Sequence, residues 1–163
     1  SPVAQSILAA ALRGVSLPHF VVVHGVDGLE PGVYRWPDLS VPVRAGELRK
    51  ELHRVCLDQG LPRDAAFVVI GAAEVDTLDD RGYREAQLTA GLAEGRFHLA
   101  AYALGAGASG MTFLDSEIPE LLGEPLQGLL FTCVGVPEYT AKAGGLPGAP
   151  VEFRQVAPRL DDE

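Results

Sequence analysis

The order of apolar and polar positions along the chain predicts an alternation of helices and strands. Residues 3–13 carry apolar and small side chains at helical spacing and stop at Gly14, as a helix closed by a glycine does. The β-branched run HFVVVHG (19–25) closes on GVDG, and GVYRW (32–36) alternates after it, which predicts two strands paired as a hairpin or near neighbours. In residues 45–59, Leu48, Leu52, Val55 and Cys56 share a stripe that Glu47, Arg49, Lys50, Glu51 and Arg54 mostly avoid. That is the pattern of an amphipathic surface helix, ended here by Gly60 and Pro62. AAFVVIGAA (65–73) is apolar throughout and of strand length, as a buried central strand would be, and the polar EVDTLDD after it is rich in turn and cap residues. Residues 82–104 form the longest helical pattern. Ala86, Ala90, Ala93, Phe97, Ala100 and Leu104 make one apolar stripe, and Leu88, Leu92, Leu99 and Tyr102 make another almost opposite. A helix apolar on two sides is expected to be enclosed on both, against a sheet and against a second subunit. SEIPELLG (116–123) predicts a short helix capped by Asp115 or Ser116, and LLFTCVGV (129–136) another buried strand. From Pro137 onward Pro and Gly dominate, predicting an irregular arm over 140–163 with a last strand around 151–156.

At 163 residues and 47% hydrophobic content the chain suits one compact domain. Its net charge of −9, with the basic residues scattered, argues against nucleic acid as a partner. No apolar run approaches the roughly 18 residues of a membrane span, and the basic-then-apolar pattern of a signal peptide is missing, so a cytoplasmic protein away from membranes is expected. Cys56 and Cys133 lie far apart in apolar patterns and read as buried free thiols. His19, His24, His53 and His98 have no metal-ligand spacing, so no metal is expected. The chain opens directly in a helical pattern, which reads as the start of a fragment.

LGAGASGMTF (104–113) sets Gly105, Gly107 and Gly110 in the letter pattern G-x-G-x-x-G. A dinucleotide turn needs a strand before the glycines and a helix N-terminus after them to receive the pyrophosphate. Here the order is reversed: a helix ends at Leu104 and a strand pattern follows. Gly105 is explained as a helix C-cap, whereas Gly107 and Gly110 suggest close backbone approach to a ligand or another chain. Ser109 in GASGM lacks the strand-turn-helix setting of a hydrolase nucleophile.

Taken together, GVDGLEPGVYRWPDL, the run from DDRGYREAQL through AAYALGAGASGMTFLDSEIPELLGE, and LLFTCVGVPEY resemble the nitroreductase-like flavoprotein superfamily, in its SagB-type dehydrogenase (azoline oxidase-like) branch. The resemblance runs from about Phe20 to Tyr139. It implies an α+β nitroreductase-like fold over residues 1–139, with a mostly antiparallel sheet and a long central helix. It also implies FMN at the interface of a homodimer, or of a pair with a second nitroreductase-like domain. Hydride would pass through flavin N5, with NAD(P)H as reductant and a small molecule or peptide as substrate. In that frame Gly107, Ser109, Gly110 and Met111 flank the flavin ring and Lys142 lies near its phosphate, with Arg154 a weaker candidate; no catalytic residue is assigned. Glycine there would remove side-chain bulk and let backbone N–H groups reach the ring. The chain departs from the family in three places. It begins after the point where an Arg-Arg-Ser type phosphate motif is expected, Thr77 and Leu78 stand where azoline oxidases carry a Lys-Tyr pair, and Gly95 and Arg96 replace a Gln-Asn step. The competing expectation is a non-catalytic module of the same fold, acting in dimerisation or scaffolding.

Overall fold

A computed structural model of the chain describes residues 1–138. Its centre is a sheet of six strands: β1 (His19–Val23), β2 (Gly32–Arg35), β3 (Arg44–Ala45), β4 (Phe67–Ala73), β5 (Gly107–Met111) and β6 (Gln127–Gly135). They lie in the order β3-β2-β1-β4-β6-β5, and every neighbouring pair is antiparallel. The predicted hairpin forms, with Phe20 opposite Arg35 and Val23 opposite Gly32. The helices are α1 (Pro2–Ala11), α2 (Arg49–Val55), α3 (Gly60–Asp64), α4 (Asp80–Ala103) and α5 (Ile118–Leu122).

All seven residues of β4 are buried, because this strand is covered on both faces. Val68, Ile70 and Ala72 join Phe20, Val22, Phe131 and Cys133 in a core closed by Leu52, Val55 and Cys56 from α2 and its end, and by Ile118, Leu121 and Leu122 of α5. Phe67 and Val69 join Val21, Val23 and Val134 on the other face, where Ile7, Leu8 and Ala11 of α1 and Ala93, Phe97 and Ala101 of α4 cover them. Successive side chains of a strand point to opposite faces, so continuous apolar runs such as HFVVV and FVVIGAA supply two cores at once. The one glycine inside β4, Gly71, lies beneath His19: a Cβ there would come within 3.2 Å of the imidazole Nε2.

Two sequence expectations change. The helix predicted over 45–59 starts only at Arg49, because Arg44 and Ala45 are drawn into the sheet opposite Val33 and Gly32. It ends at Val55, since Leu57 and Asp58 turn left-handed (φ 60° and 57°), and Gly60 and Pro62 then open α3. Proline is tolerated there, because the first N–H groups of a helix have no partner within it. Asp115 and Ser116 do not cap the next helix with their side chains. They form a 3₁₀ turn (Asp115–Glu117) that runs into α5, which Gly123 closes in the left-handed conformation (φ 69°). On α4, Ala86, Ala90, Ala93 and Phe97 of the first apolar stripe are buried as expected, and the second stripe has no cover within the described residues. Leu88, Leu92, Leu99 and Tyr102 remain 76%, 55%, 73% and 63% exposed. Cys56 and Cys133 are buried and free as expected. Burial pushes the Cys56 thiol up to about 12 and raises that of Cys133 as well. The expected arm over 140–163, its strand around 151–156, Lys142 and Arg154 lie outside the described residues.

Candidate functional site

The glycine-rich segment resolves into three glycines with three different reasons. Leu104 ends α4 and Gly105 follows at φ 77°. The Ala106 N–H donates to the Ala101 carbonyl at 2.8 Å and the Gly105 N–H to Tyr102 at 3.3 Å. That pair of bonds is the Schellman closure, which a residue free to adopt positive φ completes without strain. Gly107 then begins β5, and a Cβ on it would meet only ordinary contacts at 3.8 Å or more. Gly110 is the tight position: a Cβ there would stand 3.0 Å from Oε1 of Glu94, which reaches down from α4. The segment ends on Phe113, stacked on Phe131 with ring centroids 4.6 Å apart. That ring also fills the space over Gly128, where a Cβ would lie 2.8 Å from it.

Gly107, Ser109, Gly110 and Met111 therefore share one short strand that, among the described residues, lies at the edge of the sheet and pairs with β6 alone. Its side chains are small except for Met111, which packs on the core beneath α2 and α5. An uncovered edge carries backbone N–H and C=O groups that have no partner within the sheet. A flat ring can approach such an edge closely. Over Gly110 on the α4 face, however, the space is already filled by Glu94, so close approach is left to the edge and the opposite face. The helix N-terminus that a dinucleotide turn requires is not there, because the next helical residue after β5 is Asp115.

Sequence reasoning missed the polar group beside this strand. Glu94 is fixed at both carboxylate oxygens: Oε1 accepts from Nε2 of His98 at 3.0 Å, and Oε2 accepts from the Thr132 hydroxyl on β6. The available signal was an acid four residues before a histidine on one helix, a spacing that puts both on the same flank.

The remaining candidates have structural roles. Thr77 lies in a 3₁₀ turn with its hydroxyl on the Glu74 carbonyl at 2.8 Å, and Leu78 follows it. Asp79 caps α4 by accepting from the Gly82 N–H at 2.7 Å. His19 and His24 are buried and donate to the carbonyls of Leu17 (2.8 Å) and Pro62 (3.1 Å). Burial holds both imidazoles below their ordinary range, and Arg49 adds to the effect on His24. No cluster of three potential metal ligands occurs among the described residues, and no described helix is long and apolar enough to cross a membrane.

Several solved structures have a similar architecture. A nitroreductase-family protein from Anabaena variabilis matches 75% of this chain at 36% identity with a TM-score of 0.69. The Escherichia coli microcin synthetase McbBCD complex, solved with truncated pro-MccB17 bound, matches 85% at 15% identity and a TM-score of 0.68. The NADPH:FMN oxidoreductase of Vibrio harveyi, complexed with NAD+, matches 96% at 18% identity and a TM-score of 0.61, over 70% of its own length. The chain spans only 27% of the Anabaena protein and 64% of the matched synthetase chain. No family model and no curated protein matches. The architecture is thus the α+β nitroreductase fold, shared with flavin and nicotinamide oxidoreductases.

Proposed function

We propose that the chain is part of an FMN-dependent oxidoreductase of nitroreductase type, and that β5 is the segment flanking the flavin. The observation that carries this reading is the 36% identity to a nitroreductase-family protein, held over three quarters of the chain together with the fold. When bound, FMN supplies hydride chemistry through N5, and the protein supplies position and electrostatics. Backbone groups of Gly107, Ser109, Gly110 and Met111 would meet the ring at the free edge, and Lys142 would stand near the phosphate. The V. harveyi oxidoreductase with its NAD+ supports NAD(P)H as reductant. The likeness to the microcin synthetase, with its bound pro-peptide, supports the SagB-type branch and a small-molecule or peptide substrate. Thr77 and Leu78 bring no acid-base pair, which speaks against azole formation by this chain. The exposed stripe of α4 supports pairing with a second copy or a second domain of the same fold.

The test is to purify the chain with excess FMN and record the flavin band and its reduction by NADH or NADPH. Co-purifying flavin that is bleached by a nicotinamide donor is the expected result. No uptake, even with an N-terminally extended chain, would overturn the reading. Uptake without reduction by any donor would favour the second reading, a non-catalytic module acting in dimerisation or scaffolding. That reading draws its support from the filled space over Gly110.

A further inference from the structure

The flavin reading leaves unused the polar chain beside β5. Glu94 and His98 are one turn apart on the flank of α4 that meets β5 and β6. The carboxylate, 16% exposed, is held by Thr132 from below and by His98 from the side. It lies against Gly110, so the pair adjoins the strand assigned to the ring. A carboxylate only accepts hydrogen bonds, so the imidazole must present Nε2–H to Oε1. That leaves Nδ1 as the second proton site of a ring that is 35% exposed. Tyr102, one turn further on, lies with its ring centroid 6.0 Å from that of His98. A partly exposed histidine oriented by a carboxylate is an arrangement used for proton transfer.

We propose that His98, oriented by Glu94, is the proton-transfer residue for the redox reaction assigned to β5, with Glu94 and Thr132 as positioning residues. This rests on the flavin reading. The substrate class is a two-electron acceptor with a carbonyl or nitro oxygen, such as a quinone. With FMN bound and reduced, the cofactor would supply the hydride, and His98 would supply the proton from Nδ1–H, that bond breaking as the O–H bond of the acceptor forms. The neutral imidazole then regains a proton from water. The bland competitor is a structural staple, in which Glu94 merely ties α4 to β6.

The first of two measurements checks the orientation of His98, and the second separates the two readings. In the flavin-free protein, 15N spectra of labelled histidine should show His98 as the Nε2–H tautomer, and Glu94→Gln should abolish that preference. In the FMN-loaded protein, turnover with NADH and 1,4-benzoquinone should fall by about 10²-fold in kcat for His98→Ala. Its quinone KM and FMN affinity should stay within about two-fold of wild type, and added imidazole should restore part of the rate. Glu94→Gln should lose about ten-fold in kcat, again with FMN affinity kept. Wild-type turnover by His98→Ala with FMN bound would overturn the proposal. So would a joint loss of kcat and FMN affinity that imidazole does not rescue, which is what a staple gives. If the wild-type protein takes up no FMN, the underlying reading and this proposal fall together, a result distinct from failure with flavin bound.

Discussion

The two apolar sides of α4 are built differently. The inner side is mostly alanine (Ala86, Ala90, Ala93, Ala101) with one large residue, Phe97, and all five are buried against the sheet. The outer side carries the bulk, Leu88, Leu92, Leu99 and Tyr102, and each is more than half exposed. Small residues face the sheet because the helix axis must come close to it, and Phe97 fills the one space that alanine cannot. Large residues face outward with nothing in the described chain to cover them. Hydrophobic content therefore marks a face for burial without saying what buries it. A contiguous exposed apolar strip of this kind is a feature of interaction surfaces.

The comparison can be broken first on the inner side. Phe97 is 1% exposed within the core shared with α1. Phe97→Ala should cost about 3–5 kcal/mol, read as a large fall in the urea midpoint at unchanged m-value. A loss no larger than that of an outer-face truncation would contradict the division between the two sides.

Buried and open positions also divide the histidines. Folding holds the His19 and His24 imidazoles below the ordinary value, chiefly through burial, although hydrogen bonds to Leu17 and Pro62 pull the other way. In the pH range between the lowered folded values and the unfolded value near 6.5, the unfolded chain binds more protons. Stability should therefore be full above about pH 6.5 and decline as pH falls through the folded values. Thermal melts across that range should show the decline, and His24→Gln should flatten it. An unchanged slope in His19→Gln and His24→Gln together would refute this origin. Nδ1 of His24 is buried without a hydrogen-bond partner, with Oε1 of Glu47 3.6 Å away.

Much of the fold was legible in the sequence because most of its elements are written in apolar periodicity. The hairpin of β1 and β2, the central β4, the long α4 and β6 all follow from runs whose spacing admits one reading. The two-residue β3 was not legible, because its place comes from backbone bonds to β2 rather than from side-chain pattern. The left-handed Leu57 and Asp58 were equally hidden, since neither is a residue that advertises positive φ as glycine does. The candidate site was legible as a strand carrying glycines, and the reversed helix-to-strand order rightly excluded the dinucleotide turn. What spacing could not show is that Glu94 would come down onto Gly110, because that contact joins a helix to an edge strand sixteen residues later. The glycine was read as room for a ligand, and part of that room belongs to the protein's own carboxylate.

The outer side of α4 gives the smallest expected change in stability and the sharpest test of the comparison. Leu92 and Leu99 are 55% and 73% exposed, and Gly91 and Gly95 beside them have open space where a Cβ would stand. A charge placed on such a surface in an isolated chain meets water and costs little. Leu92→Glu and Leu99→Glu should each leave the unfolding free energy of the dilute monomer within about 0.5 kcal/mol of wild type. If a second copy covers the strip, the same charge is buried opposite leucine without a partner, at a cost of several kcal/mol. Sedimentation at rising concentration should then show association in the wild-type chain and none in Leu99→Glu, with unfolding of the monomer unchanged. Equal association of both proteins would place the contact elsewhere. A large loss of monomer stability would show instead that the outer side is covered within the chain, and the two sides of α4 would no longer differ in kind.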